Sequence, residues 1–288
     1  MKISHKKEIL IVFSLLIGSS AVILIIILSH FVTKTYTEPY YRETGLQRIA
    51  IIYKEAYQIK DIIKIECSQV LPVVYKKVPP LADFPVKEKK EKFIQIILPS
   101  ILIANLRIST KRAKIIKLRK KLEKGKKLTY TEKRFLTELL KEYKTDTIDE
   151  LLKRLNIVPV SIAIAQAAIE SGWGSSRFFT EGNNVYGMWT FKKERKNKLK
   201  AKKNKVYLKT YPDILSSVED YIYSLNVSWA YEKLRFVRLK STDPMILSNY
   251  LEKYSILRKK YVKRVKTVIM ENKLEEYDSC KIHPAYIY

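Results

Sequence analysis

Apolar residues recur at helical spacing along most of this chain, and clear alternation is confined to one short stretch. Residues 87–144 carry two apolar groups, and Gly125 is predicted to end the second helix there. The first group is Phe93, Ile96, Ile97, Ile101 and Leu102, and the second is Ile108, Ile115, Ile116 and Leu122.

Capping residues divide the next part of the chain. Thr147 and Glu150 have the spacing of a capping box, which predicts a helix ending near Asn156. Pro159 is typical of a first helical turn, and Gly172 of a helix end. We therefore expect an alanine-rich helix between these two residues.

The alternating stretch is 206–211, which predicts a short strand after a basic loop at 192–205. Loop and strand together would form a small β-lobe or hairpin. Further helices are expected to open at Pro212 and Asp213 and at Asp243 and Pro244, before a long last helix through Tyr261 and Ile269.

A continuous apolar run from Ile9 to Val32 contains no Asp, Glu, Lys or Arg and matches the thickness of a bilayer. Its small residues lie in mid-run rather than at the end, which favours an uncleaved anchor over a cleaved signal peptide. Lys2, Lys6 and Lys7 precede the run, so the N-terminus is expected in the cytoplasm and the rest outside it.

These patterns predict a mainly α protein in five segments. They are a cytoplasmic tail (1–8), a transmembrane anchor (9–33), a connector with extended Pro-rich stretches (34–86), a helical extension (87–145) and a C-terminal domain (146–288).

The 288-residue chain has a formal net charge of +27. An anionic partner such as an acidic cell wall or lipid would explain this charge, and so would a lysine-rich codon bias. Because Lys greatly outnumbers Arg, and an anchored domain faces away from the nucleoid, we expect no nucleic-acid partner.

The positions of the histidines and cysteines limit which catalytic and metal sites are possible. The three histidines, His5, His30 and His283, lie far in sequence from the central region, which argues against a Ser-His-Asp triad or a His-rich metal site there. No metal or cofactor is expected. Cys67 and Cys280 either form a disulfide or remain two buried thiols.

The candidate chemistry lies in the stretch AQAAIESGWGSSRFFTEGNNVYGMWTF, residues 165–191. Glu170 falls in the last turn of the predicted helix, where the helix dipole disfavours its ionised form. Packing against Trp173 would raise its pKa further. A carboxyl group kept protonated near neutral pH suits a general acid, which glycosidic bond cleavage requires.

The motifs AQAAIESGWG, GNNVYGMW and LNVSWAYEKLR, together with LPSILIANLRI, resemble the Bax-like branch of the family 73 glycoside hydrolases. That resemblance implies a lysozyme-like helical fold with a small β-lobe, and endo-β-N-acetylglucosaminidase activity on peptidoglycan outside the bacterial inner membrane. Glu170 matches the family's catalytic acid. Tyr254 matches its active-site tyrosine and Tyr261 a second one, although Ser255, Ile256 and Leu257 replace the usual residues between them.

The resemblance leaves the second catalytic group open. The stretch 201–211, where many members carry a carboxylate, has none; Glu194 is the nearest candidate, and Glu181 and Asp213 are alternatives, the last more typical of a helix cap. We therefore expect a substrate-assisted reaction with one catalytic Glu, in which Tyr254 orients or polarises the acetamido group. The alternative is a weak or inactive wall-binding protein on the same fold.

Aromatic residues near Glu170 are candidates for stacking on sugars, namely Tyr186, Trp189 and Trp173. Tyr186 and Trp173 are equally typical of a core. Asn184 is a further substrate-binding candidate, although Asn183 and Asn184 more commonly fix a turn through side-chain hydrogen bonds to the backbone.

Overall fold

A computed structural model describes residues 46–190, 198–200 and 207–288. The predicted cytoplasmic tail, the anchor and the start of the connector lie outside the described residues. Most of the predicted basic loop, including Glu194, also lies outside them.

The elements confirm the predicted fold class, since helices predominate and the strands are few and short. We number them in chain order: β1 (Ile52–Glu55), β2 (Val73–Lys77), α1 (Val86–Glu123), α2 (Tyr130–Glu142), α3 (Ile148–Arg154), α4 (Val160–Ser171), α5 (Arg177–Gly182), β3 (Trp189–Thr190), β4 (Lys198–Lys200), β5 (Tyr207–Lys209), α6 (Ile214–Val227), α7 (Glu232–Val237), α8 (Pro244–Ser248) and α9 (Lys259–Glu271). Short 3-10 helices connect several of these elements, including Trp229–Tyr231, Glu252–Tyr254 and Leu274–Ser279.

Helix α1 is the central helix of the fold. The two apolar groups predicted on separate helices lie on this one 38-residue helix, which continues past Pro99. Among the described residues it is the helix with the length and apolar composition to cross a membrane. However, 72% of its most apolar window is buried inside the protein, where it contacts α4, α6 and β2. Its apolar surface therefore forms core here.

The described part of the expected connector is packed into the fold. Strands β1 and β2 pair in parallel, and Val74 and Tyr75 are fully buried. A disulfide joins Cys67 to Cys280, which settles the alternative left open by the sequence. Residues 46–85 thus differ from an extended linker, because their apolar side chains complete the core beside the C-terminal segment. The five-segment division itself stays a prediction.

The predicted β-lobe is a small antiparallel sheet in the order β3–β5–β4. Trp189 pairs with Leu208, and Leu208 also pairs with Leu199 on the other side. The predicted strand at 206–211 is therefore its central strand. Along the chain, the sheet begins shortly after the segment that contains Glu170.

Local capping defines helix α4, which carries Glu170. Pro159 precedes its first turn, and Gly172 ends it in the left-handed conformation with φ +61°. The Asp278 carboxylate accepts hydrogen bonds from the Ser161 amide and hydroxyl, so the C-terminal segment also fixes the start of α4. The predicted caps at Thr147 and Asp213 are present as well.

Candidate active site

Glu170 lies in the last turn of α4 and is half-buried. Burial raises the pKa of its carboxyl group, while a hydrogen bond from Tyr261 and the charge of Arg264 lower it. Burial is the largest of these effects, so the net pKa is above the ordinary value for Glu. The group is neither sealed inside the protein nor surrounded by bulk water.

A chain of buried hydrogen bonds ends at Glu170. The Tyr221 hydroxyl donates to the Gln166 side-chain oxygen over 2.7 Å, and the Gln166 amide donates to the Tyr261 hydroxyl oxygen over 2.9 Å. The Tyr261 hydroxyl in turn hydrogen-bonds the Glu170 carboxyl group. Gln166 and Glu170 are four residues apart on α4, so both face the same side of the helix. This network fixes one side of the carboxyl group.

Tyr254 packs against Tyr261 and so supports this arrangement. Its ring stacks on Tyr261 with centroids 5.5 Å apart and an interplanar angle of 12°. Its hydroxyl donates to the backbone carbonyl of Tyr186 over 3.2 Å. Tyr261 therefore makes the direct contact with Glu170, and Tyr254 holds Tyr261 in place.

Tyr231 lies beside Tyr254 and near the carboxyl group of Glu170. Its ring centroid lies 6.3 Å from that of Tyr254. Burial and then the nearby charge of Glu170 raise the pKa of Tyr231 to about 12. Gln166, Tyr221 and Tyr231 were not identified as site residues from the sequence. The only local signal was Gln166, a polar residue within an alanine-rich run and one turn before Glu170.

Gly187 faces the carboxyl group of Glu170. A Cβ atom at this position would lie 3.6 Å from Oε2 of Glu170, and the backbone adopts φ +65°. A side chain here would be strained and would fill the space beside the carboxyl group. Gly187 therefore keeps that face of Glu170 open.

The buried members of the GNNVYG turn are structural, which corrects two predicted substrate contacts. Asn184 is 2% exposed, and its amide donates to the backbone carbonyls of Met188 and Lys209. Tyr186 is also 2% exposed and stacks on Tyr221 at 3.7 Å between centroids. Neither offers a free surface to a sugar, because the Asn184 amide is bonded within the turn and the Tyr186 ring is stacked in the core.

The two tryptophans differ in placement. Trp173 packs edge-on against Phe93 with centroids 5.7 Å apart, and the Lys90 ammonium lies 5.0 Å from its ring. Both of these ring contacts are with residues of α1. Trp189 is 56% exposed on β3, two residues after Gly187. Of the predicted aromatic contacts, Trp189 has the most accessible ring.

Among the described residues, the side chains that influence the pKa of Glu170 are Tyr261 and Arg264, and neither is a carboxylate. Glu194 lies outside the described residues. Glu181 is exposed and pairs with Arg177 at 3.7 Å. Asp213 accepts hydrogen bonds from the amide and hydroxyl of Ser216 as the cap of α6, as predicted.

The described structure also contains a cavity away from Glu170. A cavity of about 840 Å³ lies between residues 46–49, α1, α2 and α6, and contains none of the residues around Glu170. Arg107 and Glu219 line it and pair with each other at 2.6 Å. Within the described ranges, no group of three or more His, Cys, Asp or Glu side chains is placed to hold a metal ion.

Comparison with known proteins identifies the class of this domain. Residues 145–274 match the glucosaminidase family, described as mannosyl-glycoprotein endo-beta-N-acetylglucosaminidase. These residues are therefore similar to the glucosaminidase family, as the sequence motifs indicated.

Protein bax of Escherichia coli (strain K12) is a homologue of this chain. The two are 30% identical over 187 residues, which cover 60% of this chain and 66% of the relative, just under two thirds of its length.

Two solved structures are also similar. The catalytic domain of the autolysin Auto from Listeria monocytogenes is 21% identical, with a TM-score of 0.35, over 56% of this chain and 96% of that one. A C-terminally truncated glycoside hydrolase domain of FlgJ from Salmonella typhimurium is 20% identical, with a TM-score of 0.32, over 47% and 96% of the respective chains.

Proposed function

We propose that this protein is a peptidoglycan hydrolase that cleaves β-1,4-glycosidic bonds at the N-acetylglucosaminyl linkage to N-acetylmuramic acid. The observation that carries this proposal is the Glu170 carboxyl group, whose raised pKa, Tyr261 contact and open face at Gly187 suit a general acid. The similarity of residues 145–274 to the glucosaminidase family supports the glycosidase class.

In the first step, Glu170 donates its proton to the leaving glycosidic oxygen as the bond to the anomeric carbon breaks. The carbonyl oxygen of the substrate's own 2-acetamido group attacks that carbon and forms a cyclic oxazolinium intermediate. The Tyr261 hydroxyl donates a hydrogen bond to the carboxylate that results, which stabilises it.

In the second step, ionised Glu170 removes a proton from water as the water oxygen attacks the anomeric carbon. The acetamido group is released, and the product keeps its original anomeric configuration. Because the Tyr254 hydroxyl donates to the Tyr186 carbonyl, we assign Tyr254 to positioning Tyr261 instead of polarising the acetamido group.

We further propose that the catalytic domain acts in the periplasm, held at the inner membrane by the predicted anchor at residues 9–33. The Cys67–Cys280 disulfide supports an oxidising compartment. A sacculus lies within reach of such a domain, and its carboxylates complement the net charge of +27.

Product analysis tests the bond and the route together. The full chain in detergent is incubated with purified sacculi, and mass spectrometry identifies the sugar at each new reducing end. N-acetylglucosamine there agrees with the proposal, and N-acetylmuramic acid contradicts the assigned bond. Nuclear magnetic resonance of the first-formed anomer then tests the route, because inversion would exclude substrate assistance. Sacculus binding without any new reducing end would favour the wall-binding alternative.

A further inference from the structure

An exposed row of aromatic and basic side chains extends over α7 and the residues on either side of it. We define the aromatic–lysine row as Trp229, Lys233, Phe236 and Lys240. Trp229 is 76% exposed and Phe236 is 54% exposed, and both lysines are exposed. Lys233 and Phe236 are three residues apart on α7 and so face the same side of that helix, while Trp229 precedes α7 and Lys240 follows it. Leu234 and Arg235 on the opposite side are buried, so the row faces solvent.

Lysines flank both rings of the row. The Lys253 ammonium lies 4.2 Å from the Trp229 ring centroid, and the Lys240 ammonium lies 4.8 Å from that of Phe236. These cation–π contacts hold the charged groups beside rings that remain accessible. Neither Lys233 nor Lys240 pairs with a carboxylate among the residues that the structure describes. The row therefore presents apolar ring surfaces and uncompensated positive charge together.

One end of the row lies next to the candidate active site. Trp229 begins the short 3-10 helix that ends at Tyr231, whose ring centroid lies 6.3 Å from that of Tyr254. Lys253, which covers Trp229, directly precedes Tyr254, the residue stacked on Tyr261. From this end the row continues over α7 to the turn that follows it. The row therefore begins beside residues of the candidate site.

We propose that the aromatic–lysine row binds the part of an acidic glycan strand that extends beyond the cleaved bond. Ring faces of Trp229 and Phe236 pack on the apolar faces of sugars, and the lysines bind the carboxylates that N-acetylmuramic acid carries. The choice of occupant rests on the proposed function, and the alternation of rings and ammonium groups complements a strand whose every second sugar is acidic. An acidic membrane surface is the competing occupant that the test must exclude.

Binding measurements on the full chain in detergent test this proposal without hydrolysis. The background variant is Glu170→Gln, and the probes are uncross-linked peptidoglycan oligosaccharides without stem peptides, in a short and a long form. We expect Trp229→Ala with Phe236→Ala to weaken binding of the long form about tenfold, equivalent to about 1.4 kcal/mol, and to leave the short form unchanged. Tyr130→Ala, an exposed aromatic residue on α2 (81% exposed), is the matched control and should change neither.

The lysines are tested with a neutral probe. Lys233→Gln with Lys240→Gln should weaken binding of long peptidoglycan oligosaccharides and leave chito-oligosaccharides, which lack carboxylates, unaffected. Wild-type affinity for long oligosaccharides in both double variants would overturn the proposal. Each variant should keep the wild-type melting temperature, which shows that weaker binding does not result from unfolding.

A membrane role is tested by reconstitution into phosphatidylglycerol vesicles with brominated acyl chains. Quenching that disappears in Trp229→Phe would place Trp229 in lipid and overturn the proposal. Failure of the two proposals is distinguishable. If the wild type hydrolyses sacculi and the ring variants bind long oligosaccharides normally, the proposal for the row is refuted alone. If the variants lose binding as predicted but the wild type hydrolyses no sacculi, the catalytic proposal is refuted alone.

Discussion

The Tyr261 hydroxyl hydrogen-bonds the Glu170 carboxyl group and at the same time accepts a hydrogen bond from Gln166. Tyr261 lies on α9 and Glu170 on α4, and they are 91 positions apart in a chain of 288 residues (261 − 170). The acid is therefore positioned by the tertiary packing of two helices rather than by its own turn alone.

Tyr261→Phe should move the basic limb of the pH profile of kcat/KM to higher pH. The Tyr261 hydrogen bond lowers the pKa of Glu170, so its loss raises that pKa and keeps the acid protonated at higher pH. The unpaired Gln166 amide should also cost about 1–3 kcal/mol of stability. Tyr223→Phe, which removes a hydroxyl bonded to the Glu142 carbonyl, is the control and should leave the limb in place. An unshifted limb in Tyr261→Phe would argue against the contact.

Gly187→Ala should lower kcat/KM on sacculi, because its Cβ would lie 3.6 Å from Oε2 of Glu170. Gly125→Ala is a matched control: its φ is +69°, and nothing lies within 4 Å of the added atom. Both variants should lose about 1–2 kcal/mol of stability from the left-handed backbone. Equal kcat/KM values for the two variants would show that the space beside Glu170 is not used.

The difference in unfolding free energy between Glu170→Gln and the wild type should depend on pH. Burial raises the pKa of Glu170 above its value in the unfolded chain. Its contribution to stability is therefore fully present below the unfolded pKa and is lost as the pH rises through the folded pKa. Glutamine does not titrate, so the unfolding free energy of Glu170→Gln should increase relative to that of the wild type as the pH rises through the folded pKa of Glu170. Denaturant unfolding at several pH values measures this, with Glu271→Gln, an exposed carboxylate on α9, as a control that should follow the wild-type curve.

Reduction of the Cys67–Cys280 disulfide should lower the unfolding free energy by roughly 2–5 kcal/mol, since the bond closes a loop of 213 residues. Thermal unfolding with and without dithiothreitol measures the effect. The double variant Cys67→Ala, Cys280→Ala should be insensitive to the reductant and resemble the reduced wild type. A wild-type melting temperature that does not respond to the reductant would contradict the expected stabilisation.

Local signals predicted the helix boundaries of the C-terminal domain well. Thr147, Pro159, Gly172 and Asp213 act within one turn of their own position, so the sequence alone identifies their roles. The pKa of Glu170 is raised, as predicted, but its main cause is burial, which depends on tertiary packing and not on the helix dipole alone.

Long-range packing explains what the sequence could not predict. Tyr186 carries an apolar ring with a polar edge, which suits a core as well as a sugar site, and only its stacking on Tyr221 decides between them. Trp173 is close to Glu170 in sequence, but the packing of its ring against Phe93 and Lys90 of α1 could not be predicted from that closeness. These pairings depend on residues far apart along the chain.

The central claim, that Glu170 is the catalytic acid, is tested most directly by the rate at which the full-length Glu170→Gln variant releases reducing ends from purified sacculi. A general acid contributes about 10²–10⁴-fold, so we predict a loss of that size with sacculus binding and thermal stability retained. Release by the variant at the wild-type rate would contradict the account.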